Sequence, residues 1–207
     1  MFDFIIKPLA EWIVHTISTV GYPGVFFLML IESACIPLPS EITMPFAGSL
    51  VASGRFSLLL VALSGALGNL AGSLLAYALG FWGQEAVVRK LIKKYGKYIL
   101  LSEKELEHSE KWFNKYGEII VFTSRLLPAV RTFISLPAGI AKMNIKKFVI
   151  YTTLGSFLWS FVLAYIGMLF GRNWEKLHVY FQKFDLLIVG LGILAVIFYI
   201  RHKLKKR

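Results

Sequence analysis

The stretch from Val25 to Gly54, VFFLMLIESACIPLPSEITMPFAGSLVASG, places two carboxylates and three prolines inside an otherwise apolar run. Its first apolar arm, Val25 to Ile36, is about 18 Å long as a helix and its second, Ile42 to Ala52, slightly shorter, against about 30 Å of bilayer hydrocarbon. Neither arm spans a membrane alone. Pro37 and Pro39 lack backbone N–H groups and restrict the residues before them, so they end any helix between the arms. Residues 24–54 are therefore expected to form a re-entrant helical hairpin turning on these prolines at membrane depth. Irregular backbone and ionisable side chains survive there only inside protein or against a watery cavity, which makes Glu32 and Glu41 candidate functional groups. The competing reading is a kinked helix with a structural carboxylate.

The whole chain supports a membrane setting. It is 57% hydrophobic over 207 residues, with a mean hydropathy of +0.64, too apolar for a soluble domain. The net charge of +11 raises nucleic acid as a partner, but the basic residues sit beside apolar spans, where membrane topology explains them. A single cysteine, Cys35, excludes an internal disulfide. The N-terminus lacks a basic region followed by an apolar core and small-residue cleavage site, so no removable signal peptide is expected.

Taken in order, residues 1–20 carry Lys7, Glu11 and His15 at intervals of four, with Ile6, Trp12, Ile13 and Ile17 on other faces. This is an amphipathic helix, compatible with lying in the interface or crossing against the bundle. Ser57 to Phe81 is a full-length transmembrane helix whose Gly68, Gly72, Ala76 and Gly80 form a packing stripe, with Asn69 beside it available for an interhelical hydrogen bond. Residues 84–118 are polar and basic, an extramembrane helical segment in which Ser102 and Glu105 resemble a capping box opening a helix through Trp112.

Ile119 to Ala141 repeats the opening problem with opposite charge, since Arg125 and Arg131 flank Pro128 in a run too short to cross twice. A second re-entrant hairpin, residues 119–141, is expected. Phe148 to Phe170 is another full-length span, and Leu186 to Ile200 a short C-terminal transmembrane helix followed by a basic tail, Arg201 to Arg207. The segment 84–118, the cluster 142–147 and the tail hold sixteen of the 23 Lys and Arg residues. These three, and so the C-terminus, are therefore expected in the cytoplasm.

The second half also matches the first at an offset of 91: Ser33 falls on Ser124, Pro37 on Pro128, and Ala47-Gly48 on Ala138-Gly139. After a three-residue deletion, Leu75-Ala76-Tyr77 falls on Leu163-Ala164-Tyr165. The expected fold is an all-α integral membrane protein, one membrane domain over 1–207. It is an inverted repeat of two re-entrant helical hairpins each followed by a transmembrane helix, with an N-terminal amphipathic helix and a C-terminal transmembrane helix. Inverted repeats with broken helices are a common transporter construction, with the site at the repeat interface.

The segment from Glu32 through Pro37 and Pro39 to Glu41, together with Phe122-Thr-Ser-Arg125-Leu-Leu-Pro128-Ala-Val-Arg131 and Ala138-Gly139, resembles the DedA family of membrane proteins over residues 20–172. The resemblance implies a bacterial inner-membrane protein related to lipid scramblases of the VTT class. It implies proton-coupled movement of undecaprenyl phosphate by a flippase, or alternatively phospholipid scrambling (phosphatidylethanolamine, for instance). A non-transporting membrane scaffold is a further reading, but it leaves the paired arginines unexplained. Asn69 departs from the Asp common in the family.

Glu32, Glu41, Arg125 and Arg131 sum to zero formal charge, so facing hairpins can bury them as a compensated structural network. The functional reading assigns Arg125 and Arg131 to an anionic lipid headgroup, because a planar guanidinium fork matches phosphate, and Glu32 and Glu41 to proton coupling. An enzyme would need a nucleophile with a base, or a metal cluster. His15, His108, His178 and His202 all lie outside the hairpins, so no catalytic residues, metal or cofactor are expected.

Overall fold

The computed structural model describes residues 3–34, 36, 38–83 and 103–171, and the regular structure among them is entirely helical. Helix α1, Asp3–Val20, ends where Gly21 takes φ +76°. Helix α2, Tyr22–Ser33, follows with Pro23 in its first turn, where a missing N–H breaks no helical bond. Helix α3, Ser40–Ala52, starts directly after Pro39 and carries Pro45 inside it. The apolar run is thus broken between its carboxylates. Cys35 and Pro37 fall outside the described residues, as do Ser102 of the capping box, the segment 84–102 and the expected C-terminal helix.

Among the described residues, two helices are long and apolar enough to cross a membrane: α4, Leu58–Gly83, which follows α3, and α8, Ile145–Phe170, each of 26 residues. Between them lie α5, Glu103–Ser124, then α6, Pro128–Arg131, and α7, Ser135–Ile140. Here the structure departs from expectation. A helix ending near Trp112 and a separate arm from Ile119 are fused in α5, because the intervening residues include no proline and Gly117 only weakens a helix. Gly117 also faces the Met143 thioether, where a β-carbon would stand 3.0 Å from the sulfur. The arm after Pro128 is two short helices rather than one.

Both broken segments end in the same turn. After α3, Gly54 takes φ +75° and the Arg55 N–H donates to the Leu50 carbonyl at 3.0 Å. After α7, Lys142 takes φ +50° and the Met143 N–H donates to the Ala138 carbonyl at 3.1 Å. Asn144 then caps α8, its Oδ1 accepting from the N–H groups of Lys146 at 3.0 Å and Lys147 at 3.3 Å.

The long helices clamp the short ones. Helix α2 packs on α4, α5 on α8, α3 on α8 and α7 on α4. Close approach rests on glycine: Gly68 and Gly72 of α4 lie against the Phe26 and Leu30 carbonyls of α2, and a β-carbon at either would overlap them. Gly48 of α3 lies likewise against Ala164, and Gly139 of α7 against Tyr77. Gly167 meets Pro45, and Gly80 meets Leu136. Gly48 and Gly139 are 91 positions apart, as are Pro45 and Leu136.

Helix α1 buries Ile13 and Ile17 completely while Glu11, Trp12 and His15 remain exposed. Apolar side chains such as Met29, Met44 and Phe148 fill the interior, but large ones also cover the outside and charges lie within. Leu67, Leu75 and Leu79 of α4 and Ile150, Leu154 and Leu158 of α8 face outward, whereas Glu32, Asn69, Arg125 and Arg131 are inside. An apolar exterior around a charged interior places the solvent of this surface as lipid.

Candidate functional site

The broken segments bring their charges to one place. Arg131, the last residue of α6, directs Nη2 to Glu32 Oε1 of α2 in an ion pair. The same nitrogen donates to Ser40 Oγ at the start of α3 and lies 3.7 Å from Glu41 Oε1. Ser40 Oγ donates in turn to Glu41 Oε1 at 3.0 Å. The Arg131 guanidinium also lies over the Trp159 ring of α8, 5.4 Å from its centroid. All four charged side chains are buried: Arg125 is 2% exposed, Glu32 3%, Arg131 4% and Glu41 7%.

Arg125 behaves differently from its partner in sequence. It sits just past the end of α5, where its Nη1 donates to the Arg131 carbonyl at 2.9 Å and its Nη2 to Ser135 Oγ at 2.7 Å. One guanidinium therefore closes the loop around α6 and fixes the backbone from which the other projects. Gly155 of α8 makes room for it, since a β-carbon there would stand 2.8 Å from Arg125 Cβ. The remaining donor and acceptor capacity is notable: Glu32 Oε2, Arg125 Nε and Arg131 Nε are buried without a hydrogen-bond partner among the described residues. The ion pair itself thus keeps one unused carboxylate oxygen and one unused guanidinium donor, and Arg125, which braces the Arg131 backbone, keeps a second donor.

Neighbouring polar groups complete the shell. Ser33 Oγ donates to Asn69 Oδ1 at 2.6 Å, tying α2 to α4 beside Glu32, the interhelical hydrogen bond for which Asn69 is suited. Pro39 immediately precedes Ser40 and sets where α3 begins, and Pro128 does the same for α6. Ser40, Ser135 and Trp159 are absent from the sequence-derived site. Ser40 was detectable, because it stands 91 positions before Arg131, the offset of the internal match. Trp159 and Ser135 give no comparable signal. A concavity of about 580 Å³ lined by Tyr77, Phe81, Trp82 and Lys142 lies near the start of α8 and includes none of the four charged residues.

A helical membrane protein in which two proline-broken segments meet around buried arginines and glutamates is the class that this fold and site define. The signature of the VTT domain matches residues 38–169, and the chain belongs to that family, the DedA proteins. It is 35% identical over 199 residues to the Bacillus subtilis (strain 168) membrane protein YkoX, covering 95% of this chain and 86% of that protein. It is 34% identical over 191 residues to an "alkaline phosphatase-like protein" of Lactococcus lactis subsp. cremoris (strain MG1363), covering 92% and 88%. It is 32% identical over 203 residues to undecaprenyl phosphate transporter A of Bacillus subtilis (strain 168), covering 98% and 96%. No solved structure matches the chain.

Proposed function

We propose that this protein moves a phosphate-bearing lipid, undecaprenyl phosphate, across the bacterial inner membrane in a proton-coupled manner. The observation that carries the reading is Arg131, a buried guanidinium held from one broken segment by Glu32 and Ser40 of the other and close to Glu41. Full-length similarity to a protein named for undecaprenyl phosphate transport supports it.

In this reading the lipid phosphate competes with the carboxylates for the Arg131 fork, the geometry that guanidinium offers to phosphate and ammonium does not. Arg125 adds its charge and holds the α6 loop in place. Leaving both carboxylates ionised once the phosphate has arrived puts excess negative charge in low dielectric, and protonating Glu32 or Glu41 relieves it. Proton uptake then accompanies lipid binding.

The architecture we infer for this transport is an inverted repeat within residues 20–172, one membrane domain with re-entrant hairpins at 24–54 and 119–141. Three features support it: the exchanged packing of α3 on α8 and α7 on α4, the glycine contacts at a common offset, and the shared turn at Gly54 and Lys142. The basic segments and the C-terminus face the cytoplasm, and the first hairpin opens outward.

The test is translocation of undecaprenyl phosphate by purified protein in proteoliposomes, with and without an outside-acid pH gradient. The wild type is expected to respond to the gradient, and Glu32→Gln or Glu41→Gln to bind lipid while losing that response. No translocation by the wild type overturns the transport reading. Indifference of the wild type to the gradient, matched by both glutamine variants, returns the glutamates to a structural role.

A further inference from the structure

Helix α8 carries three hydroxyls at intervals of four, Thr152, Ser156 and Ser160, which are 0%, 2% and 0% exposed. None of the three has a hydrogen-bond partner among the described residues, and the same holds for the indole nitrogen of Trp159. This is unusual for serine and threonine in a helix, which commonly satisfy the hydroxyl on the carbonyl four residues back. Thr153, one position along, does so, donating to the Val149 carbonyl at 2.7 Å. Three buried hydroxyls thus keep their donors unused while their neighbour is satisfied. Each unmade bond costs about 1–3 kcal/mol.

Their direction follows from helix geometry. Gly155 faces Arg125, and Ser160 faces Gly65 of α4, where a β-carbon would stand 2.9 Å from its Oγ. With Gly155 as origin, Trp159 lies about 40° around the helix, Thr152 about 60°, Ser156 about 100° and Ser160 about 140°. The open donors thus fill the arc of α8 between the Arg125 contact and the α4 contact. Trp159, in that arc, is the residue that lies over Arg131. From Thr152 to Ser160 the ladder is about 12 Å long. It is centred on Ser156, close to the middle of α8, Ile145–Phe170. That is the depth at which an anionic headgroup is furthest from water on either side.

We propose that Thr152, Ser156 and Ser160 form a hydroxyl ladder that donates to the oxygens of the lipid phosphate as it passes the middle of the membrane. The arginine site captures the headgroup, and the ladder lowers the barrier to its departure. Short neutral donors suit a transit surface, because each holds the phosphate weakly and the next stands one turn away. The inference rests on the transport reading above and assigns it a path.

The experiment compares wild type with Thr152→Val/Ser156→Ala/Ser160→Ala in undecaprenyl phosphate proteoliposomes, alongside equilibrium binding of that lipid and thermal stability. Removing three open buried hydroxyls is expected to leave stability unchanged or raised, because no bond is lost. Binding at the arginines stays within about twofold, while translocation slows by about tenfold or more, the equivalent of one hydrogen bond lost from the transition state. Thr153→Val, whose hydroxyl is already satisfied within the helix, transports as the wild type does. Wild-type translocation in the triple variant overturns the ladder while leaving the transport reading intact, and no translocation by the wild type overturns both. A fall in stability in the triple variant makes the hydroxyls structural and also overturns it. Ser156→Ala alone is measured alongside and is expected to slow translocation, with Ser156→Thr restoring the rate.

Discussion

Replacing Arg131 by methionine tests how the buried charges hold one another. Methionine keeps much of the length and apolar volume of arginine but removes the ion pair to Glu32, the donation to Ser40 and the nearby charge facing Glu41. Glu32 and Glu41 are then left 3% and 7% exposed with no guanidinium at their oxygens. Breaking a buried ion pair from one side costs about 3–5 kcal/mol, most of it the penalty of the orphaned partner. For a chain of this size each kcal/mol moves the unfolding midpoint by about 2–4 °C, so Arg131→Met is expected to lower Tm by roughly 6–20 °C. Glu32→Gln in the same protein removes the orphaned charge and is expected to recover at least half of that loss, whereas translocation stays abolished. The assay is thermal unfolding in detergent of the wild type, both single variants and the double variant, read as a double-mutant cycle. A Tm for Arg131→Met within about 2 °C of wild type refutes the reasoning, as does a double variant no more stable than Arg131→Met.

Three further outcomes are expected. Gly48→Val or Gly139→Val forces a side chain into the Ala164 or Tyr77 backbone and destabilises by about 1–3 kcal/mol or more in thermal unfolding. Gly83→Ala, with nothing within 4 Å of the added carbon, shows no comparable steric loss. The Glu118 carboxylate, bonded to Lys147 Nζ at 2.5 Å, is held below the usual carboxylate range chiefly by that hydrogen bond. Its stabilising contribution is therefore present above the unfolded carboxylate range and lost as pH falls through the depressed folded value, so the acid-side decline of Tm should be shallower in Glu118→Gln. In a Cys35→Ser background, a cysteine at Lys97 should react only with cytoplasmic reagent and one at Arg55 only with external reagent. Labelling of both from one side removes the inverted topology.

Much of this protein is written locally. Proline at positions 37, 39 and 128, apolar runs too short to span, and two runs long enough to do so dictate broken segments alternating with full-length helices. Those signals act through backbone geometry and bilayer thickness, which need no knowledge of neighbours. The presence of Glu32, Glu41, Arg125 and Arg131 within apolar sequence likewise marks the interior before any contact is known. Continuity of α5 through Trp112 was less legible, because a change from polar to apolar composition looks like a boundary although helix propensity runs across it.

What the chain could not state by itself is who meets whom. Arg125 and Arg131 are six residues apart and chemically identical, yet one braces backbone and the other reaches across 99 residues to Glu32. That division depends on the loop around α6, on the space left by Gly155 and on the position of Trp159, which arises only when α8 packs over the broken segments. The open hydroxyls of α8 are the same kind of fact. Serine and threonine at intervals of four read as ordinary helix residues, and only the packed structure distinguishes Thr152 from Thr153. Local sequence sets backbone form because its forces act between near neighbours in the chain. Partnership between side chains is settled by distances that exist only once the helices have closed on one another.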